Sequence, residues 1–582
     1  MASFRIGINM AGAVSAGAYT AGVLDFLTEA LDAWYEAKER GEAVPAHDVV
    51  IEVFSGASAG GMCAAISSVM LQEEFEHIHD PKVERAETTN RFYESWVNRI
   101  DIKELLKTDD IRKNEPVMSL LDSKIIESIA AYALTPKNPA KPRKYVAETL
   151  TLFLSLTNLR GVPYSLNSTA PGSVEESAFF FADRARFEIS KTRKDSRPDH
   201  TVRYLNHSLR GTDGGWDALQ SAAMATGAFP VFLAPRRLDR YQSEYDRPNW
   251  MPVVPVENEV EKAVVPAFPD GLPDPFPTLN VDGGVTNNDP FNYAHDYLAS
   301  LKPPSPNNRN PRAPLEAERA VITIAPFPTV EHALAKFDAE KSSSIFWALP
   351  RLFTALIAQA RFFGESLGDM MDGTTFSRFV IAPSDNELAE RWKRSGRPER
   401  EQPPALQCAS LGAFGGFFER GFRAHDYELG RRNCQKFLAD SFVLPVGNVV
   451  VRIGLETLDP QTRRTVEERF RKSAPGGYAD KNLPALQQRA GANWMPIIPL
   501  CTEELRNPIP PVERVTVSRR KIDEIVELMI GRYKVVVREF IRKVPSPLFR
   551  GFLIFGQPMI RFLMRRPLRE ALIEQFGDEV RP

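Results

Sequence analysis

Apolar and polar positions divide the start of the chain into two alternating rhythms. Phe4–Asn9 is a short, mostly apolar run that predicts a buried strand. Beyond the small residues Ala11–Gly17, the apolar positions Tyr19, Val23, Leu27, Ala30, Leu31 and Trp34 recur every three or four residues, which predicts a helix with one buried face. Its polar end, Glu36–Glu42, runs to Pro45, and Asp48–Phe54, rich in Val and Ile, predicts a second strand. Ser55-Gly56-Ala57-Ser58-Ala59-Gly60-Gly61 follows, then an apolar helix through Leu71. Strand, small-residue turn and helix, twice over, predict a parallel sheet covered by helices.

Further along, amphipathic spacing predicts helices within 85–135. Thr149–Asn158 alternates apolar and polar residues as a strand does, and Ala178–Ile189 is a second candidate. Trp216–Ala228 predicts a helix that ends near Gly227 and Pro230. Residues 236–277 are heavy in Pro and in both charges, without clear period, and are expected to form a long loop or insertion. Leu279–Val281 and Ala320–Ala325 predict strands. From about 341 the pattern turns to long helical stretches, the last within Arg519–Lys543 and Arg550–Phe576. The expected organisation is an α/β unit over 1–340 and a mainly helical region over 341–582.

Composition changes this picture little. Of 582 residues, 43% are hydrophobic and 25% charged, the mixture of an ordinary globular chain. Lys plus Arg number 73 against 75 Asp plus Glu, so no overall field favours nucleic acid, and no nucleic-acid partner is expected. Cys63, Cys408, Cys434 and Cys501 form no Cys-x-x-Cys pair, which argues against a zinc site and a disulfide framework. His77-x-His79-Asp80 reads as a solvated helix end, so no metal is expected. Gly12, Gly17 and Gly22 have the wrong spacing for a dinucleotide fingerprint, and no cofactor is expected. Met1–Asn9 lacks a charged stretch followed by a long apolar run, so a cytoplasmic protein without a signal peptide is expected. Nothing in the pattern fixes an oligomeric state.

The candidate chemistry sits at the second turn. Gly56-x-Ser58-x-Gly60 between a strand and a helix is the pattern of a nucleophile elbow, a sharp turn that holds a serine hydroxyl clear of the sheet edge. The helix that follows points its N-terminus at the serine, where the N–H of Ala59 could donate to a developing oxyanion. A serine hydroxyl needs a base within hydrogen-bond reach. Two aspartates open the sequence Asp-Gly-Gly. Asp213 follows a polar segment and opens a helix, as an N-cap does. Asp282 follows a short apolar strand, at the edge where sites gather in α/β sheets, and is the better candidate.

Three segments in order, Gly17-Ala18-Tyr19-Thr20-Ala21-Gly22-Val23-Leu24, the Gly56–Gly60 elbow and Asp282-Gly283-Gly284, resemble the patatin-like phospholipase family over roughly residues 4–330. Ser221–Pro235 resembles the family's stretch before its aspartate, and Gly421–Gln435 a C-terminal segment of larger bacterial members. The resemblance implies a three-layer α/β/α sandwich with a mainly parallel sheet. It also implies a lipid acyl hydrolase working through an acyl-Ser58 intermediate, with Asp282 completing a dyad that needs no histidine. Gly283 and Gly284 would shape the turn after Asp282, and Gly12, Ala13 and Val14 would form the oxyanion loop. Here the sequence departs from the family: Gly12-Ala13-Val14-Ser15-Ala16-Gly17 keeps only the first and last glycines, and Ala16 replaces a basic residue.

An α/β-hydrolase would need a histidine after the acid, and His295, His332 and His425 fit poorly: the first two read as exposed helix positions, the third as a structural partner of Asp426. The expected partner is a lipid or acyl ester, with peripheral membrane contact. Ile345–Phe363 and the basic, aromatic Phe549–Arg569 are the stretches considered for that contact. A catalytically weak scaffold whose region 341–582 binds a partner is the alternative reading.

Overall fold

The structure is a computed structural model. It describes the chain outside residues 1, 84–87, 114, 136, 167–175, 191–201, 207–213, 246–252, 257–258, 264–265, 302–309, 328–375, 399–401, 474–492, 543–564 and 582. Ile345–Phe363, Asp213, His332 and all of Phe549–Arg569 but its last turn lie outside the described residues.

Nine strands among the described residues make one sheet: β1 (Ser3–Met10), β2 (Asp48–Gly56), β3 (Val146–Leu166), β4 (Glu176–Ser190), β5 (Arg203–Asn206), β6 (Arg236–Arg240), β7 (Phe276–Asp282), β8 (Arg319–Ile324) and β9 (Arg378–Ile381). The order is β9-β8-β1-β2-β3-β4-β5, with β7 beside β3 and β6 outside β7. Strands β9 to β3 run parallel, whereas β3/β4, β3/β7 and β6/β7 are antiparallel. The central parallel strands are covered on both faces, which is why β1 and β8 read as nearly continuous apolar runs.

The main helices are α1 (Gly17–Glu39), α2 (Ala59–Met70), α3 (Lys124–Leu134), α4 (Gly214–Thr226), α5 (Phe291–Ser300), α6 (Arg420–Asp440) and α7 (Arg519–Arg542). Helix α5 lies on one face of the sheet, where Ala294 and Leu298 pack with Val53, Phe153 and Val321. The larger cluster on the other face joins Ile6, Ile8 and Phe54 to Tyr19, Val23 and Leu27 of α1 and to Phe422, Tyr427 and Leu438 of α6. The protein is thus a mixed α/β fold with a mostly parallel central sheet and a helical C-terminal region.

Sheet and core both continue past residue 340. Helix α6 covers α1 so closely that a Cβ on Gly22 would lie 1.9 Å from the Tyr427 carbonyl oxygen, and one on Gly430 would lie 2.2 Å from that of Tyr19. Only two glycines at the crossing allow this approach. An ion pair locks the same interface: Arg431 donates to Asp25 at 2.5 Å and to Glu29 at 2.6 Å. Burial alone would raise the Asp25 carboxyl, but Arg431 and His77 outweigh it and hold it well below the usual range. Breaking such a buried pair costs roughly 3–5 kcal/mol. With α6 on its outer side, α1 is buried nearly all round, wider than the single stripe expected of it.

The stretch 236–277 is not a plain loop. It holds β6, a hairpin of Val253–Val256 with Glu259–Ala263, and the start of β7. Charge hid β6: Leu238 and Arg240 point inward, and Arg240 is satisfied there by Asp183 at 3.2 Å and Glu244 at 2.8 Å. Among the described residues no helix is long and apolar enough to cross a membrane.

Candidate active site

Strand β3 is the common ruler of the site. Gly56, the last residue of β2, pairs with Leu154, and Asp282, the last of β7, pairs with Leu156. Two residues along one strand span about 7 Å, so two strand ends 226 positions apart in sequence finish side by side.

Ser58 stands in the turn between β2 and α2 with φ +52° and ψ −128°, a strained backbone for a residue other than glycine. The turn leaves no room: a Cβ on Gly60 would lie 2.2 Å from the Met10 carbonyl oxygen, and Gly56 packs directly over Gly60. The Ser58 hydroxyl donates to Asp282 Oδ2 at 2.6 Å, and the N–H of Gly284 donates to Oδ1 at 2.7 Å. Asp282 is further fixed by its own N–H, which donates to the Ala228 carbonyl at 2.9 Å, and by Thr157, whose hydroxyl donates to the Asp282 carbonyl at 2.8 Å. Gly283 lies against the Ser155 carbonyl. Both catalytic candidates are almost wholly buried, and burial pushes the Asp282 carboxyl up to about 7 against the opposing pull of its bonds from Ser58 and Gly284. Among the described residues no histidine bonds to either group. His425 is buried with Nδ1 2.8 Å from Asp426 Oδ1, and His295 is half-buried with Nδ1 3.0 Å from Asp296 Oδ1.

Around Ser58 the N–H groups of Ala13, Val14 and Ala59 have no protein acceptor among the described residues. Gly12 differs: its N–H donates to the Asn288 carbonyl at 3.0 Å, and Asn288 Oδ1 fills the place a Cβ would need. Gly12 therefore supplies room rather than a donor. Val14 has φ +49°, and the next residue is held from far along the chain. Ser15 donates its N–H (3.1 Å) and its hydroxyl (2.5 Å) to the carbonyl of Ala413, and the N–H of Gly416 donates to Ser15 Oγ at 3.1 Å. Sequence reasoning missed this brace. It also missed Thr226, which accepts the Ser58 N–H at 3.1 Å and donates to the Ser155 carbonyl at 2.7 Å. The signal available for Thr226 was its place inside Ser221–Pro235.

A cavity opens on Ser58 and is lined almost entirely by apolar side chains. Met62 and Ile66 of α2, Ile126 and Ile129 of α3, Met224 of α4 and Phe414 and Phe417 from the C-terminal region form its walls. Among the described residues no group of three His, Cys, Asp or Glu could hold a metal; His77 Nδ1 lies 2.8 Å from Asp25, and His79 Nε2 3.5 Å from Glu29. Cys63, Cys408, Cys434 and Cys501 are buried free thiols.

An uncharacterized protein, y4iI, from Sinorhizobium fredii (strain NBRC 101917 / NGR234) is 36% identical over 467 residues, which cover 75% of this chain and 64% of that relative. The chain thus spans less than two thirds of that relative's length. The crystal structure of VipD from Legionella pneumophila aligns over 98% of this chain and 88% of its own, at 13% identity and a TM-score of 0.23, a likeness too slight to carry an argument. The model of the family described as patatin-like phospholipase matches residues 9–295, and over those residues the chain belongs to the patatin-like phospholipase family.

Proposed function

We propose that the protein hydrolyses acyl esters of lipids through an acyl-Ser58 intermediate, with Asp282 as the serine's only acid–base partner. The observation that carries the reading is the 2.6 Å hydrogen bond from Ser58 to Asp282 at the head of an apolar cavity. The family match supports lipid acyl hydrolysis in general; the dyad and the donors are inferred from the geometry around Ser58.

Ionised Asp282 takes the hydroxyl proton as Ser58 Oγ attacks the ester carbonyl carbon. The N–H groups of Ala13, Val14 and Ala59 meet the negative charge on the former carbonyl oxygen, where one donor is worth about 2.7–4 kcal/mol. Protonated Asp282 then gives its proton to the departing alcohol oxygen, leaving the acyl group on Ser58. Water enters, loses a proton to Asp282 and attacks the acyl carbon; Asp282 returns that proton to Ser58 Oγ as the fatty acid is released, restoring the dyad. A carboxyl near 7 suits both halves of the cycle, since it takes and returns a proton at neutral pH. The apolar cavity holds the acyl chain. Four buried free thiols fit a reducing compartment, which supports a cytoplasmic enzyme.

Release of fatty acid from mixed phospholipid vesicles and of p-nitrophenol from a short ester tests the reading. The folded wild type is expected to release both, and Ser58→Ala and Asp282→Ala to fall to background. Activity that survives in Asp282→Ala would overturn the dyad.

A further inference from the structure

Beside the cavity lies an edge of partly exposed apolar side chains. Met118 is 58% exposed, Leu120 39%, Val231 66% and Phe232 37%. Two hydrogen bonds join the segments that carry them: the N–H of Leu120 donates to the Val231 carbonyl at 2.8 Å, and that of Leu121 to the Phe232 carbonyl at 3.0 Å. The edge is continuous with the cavity wall. Leu121 and Leu233, next in sequence to the exposed residues, line the cavity, and the Phe232 ring lies 5.8 Å from that of Phe229 and 5.3 Å from that of Phe414.

The edge is built stiffly. Val231 has φ +71°, a left-handed backbone that is costly for a β-branched residue, and its side chain is turned to solvent. Behind it, Arg532 of α7 donates to the carbonyls of Lys107 and Leu120 and forms a two-pronged pair with Asp110, at 2.8 Å on each oxygen. A buried guanidinium from the C-terminal region thus fixes the loop that presents Met118 and Leu120.

Charge shows what the edge fits. Three cations near it are paired locally: Lys107 with Glu104 at 2.5 Å, Arg112 with Glu115 at 3.7 Å, and Arg236 with Glu127 at 2.5 Å. An edge whose charges are mostly paired exerts little pull on an anionic headgroup or a nucleic acid, and it suits entry of apolar side chains into an uncharged interface.

We propose that Met118, Leu120, Val231 and Phe232 are the edge by which the protein enters the surface of a lipid aggregate, so that an acyl chain slides from lipid into the cavity without crossing water. The lipid occupant of the cavity rests on the function proposed above; the exposed edge does not.

The test measures cosedimentation of the full chain carrying Ser58→Ala with phosphatidylcholine vesicles, at low and high salt, with and without Met118→Gln plus Val231→Asn. Asparagine accepts a left-handed backbone, so Val231→Asn alone serves if the double variant misfolds. The expected result is binding that salt leaves unchanged and that the substitutions weaken about tenfold, the scale of removing part of two apolar side chains from a buried setting. With Ser58 intact, hydrolysis of a dispersed short ester by the double variant should stay within about twofold of the wild type. Absent vesicle binding, binding that high salt abolishes, or equal binding by wild type and variant would each overturn the proposal. Because binding is read without turnover, a chain that binds vesicles but cleaves no ester would sink the hydrolase reading and leave the edge standing.

Discussion

Ser15 gives both its N–H and its hydroxyl to one carbonyl, that of Ala413, nearly four hundred residues away along the chain. The bond to Ala413 anchors the residue that follows Val14, which lines the cavity beside Ser58. Part of the site is therefore made by the C-terminal region. Phe414 and Phe417 come from the same segment and wall the cavity.

Replacing Ser15 by Ala should expose that dependence. The variant keeps the Ser58–Asp282 pair and loses the hydroxyl's bonds to Ala413 and Gly416 in a fully buried setting, at a cost of roughly 1–3 kcal/mol. Thermal melting should fall, and kcat for a short ester should drop about tenfold with little change in KM, because the proposed oxyanion donors would act in the transition state. Unchanged kcat in a folded variant would show that the Ala413 brace does not govern these donors.

Asp282 sets the pH response. The proposed base works only when ionised, and burial pushes its carboxyl up to about 7, so kcat/KM should climb between pH 5 and 8 with a midpoint near 7. Stability runs the other way. In the unfolded chain the carboxyl titrates near 4, so from about pH 4 to 7 the folded state holds a proton that the unfolded state has released. That contribution is complete below the lower value and is lost as pH rises through the upper one. Asp282→Asn carries no such loss, so its melting temperature relative to wild type should rise from pH 5 to pH 8. Parallel melting curves for the two chains across that range would refute a raised carboxyl.

What the sequence made legible was local or periodic. The elbow around Ser58 and the Asp-Gly-Gly turn at Asp282 stand out because each needs small residues at fixed spacing, and the strands that carry them are apolar runs. That Ser58 and Asp282 meet is a consequence of register on β3, which no spacing in sequence encodes. Thr226 was hidden because a threonine at a helix end has many ordinary uses. β6 was hidden by the inward Arg240, and β9 by its length of four residues. The Ser15 brace depends on tertiary contact alone.

The Gly22–Gly430 crossing tests whether the C-terminal region folds with the sheet. In Gly430→Ala the new methyl would meet the Tyr19 carbonyl oxygen at 2.2 Å, a backbone atom that cannot swing aside, so α6 must move off α1. Overpacking of this kind costs about 1–3 kcal/mol. The melt should stay a single transition at lower temperature, since strands, α1 and α6 share one core. Two separated transitions, the later one at the wild-type temperature, would mean that the C-terminal region is an independent unit.

The cavity makes a claim about chain length. Ala130 of α3 faces the cavity in line with Ile126 and Ile129 and is only half-buried, so a larger side chain there can enter the void without crowding the core. Phenylalanine at this position should leave a two- to four-carbon p-nitrophenyl ester untouched, because short acyl groups end close to Ser58. Esters of long fatty acids would have to displace the ring, and the loss of several buried methylenes should lower their kcat/KM by about tenfold to a hundredfold. Profiles of kcat/KM against acyl length for wild type and Ala130→Phe give the comparison. Equal loss for short and long esters would mean that the acyl chain runs elsewhere.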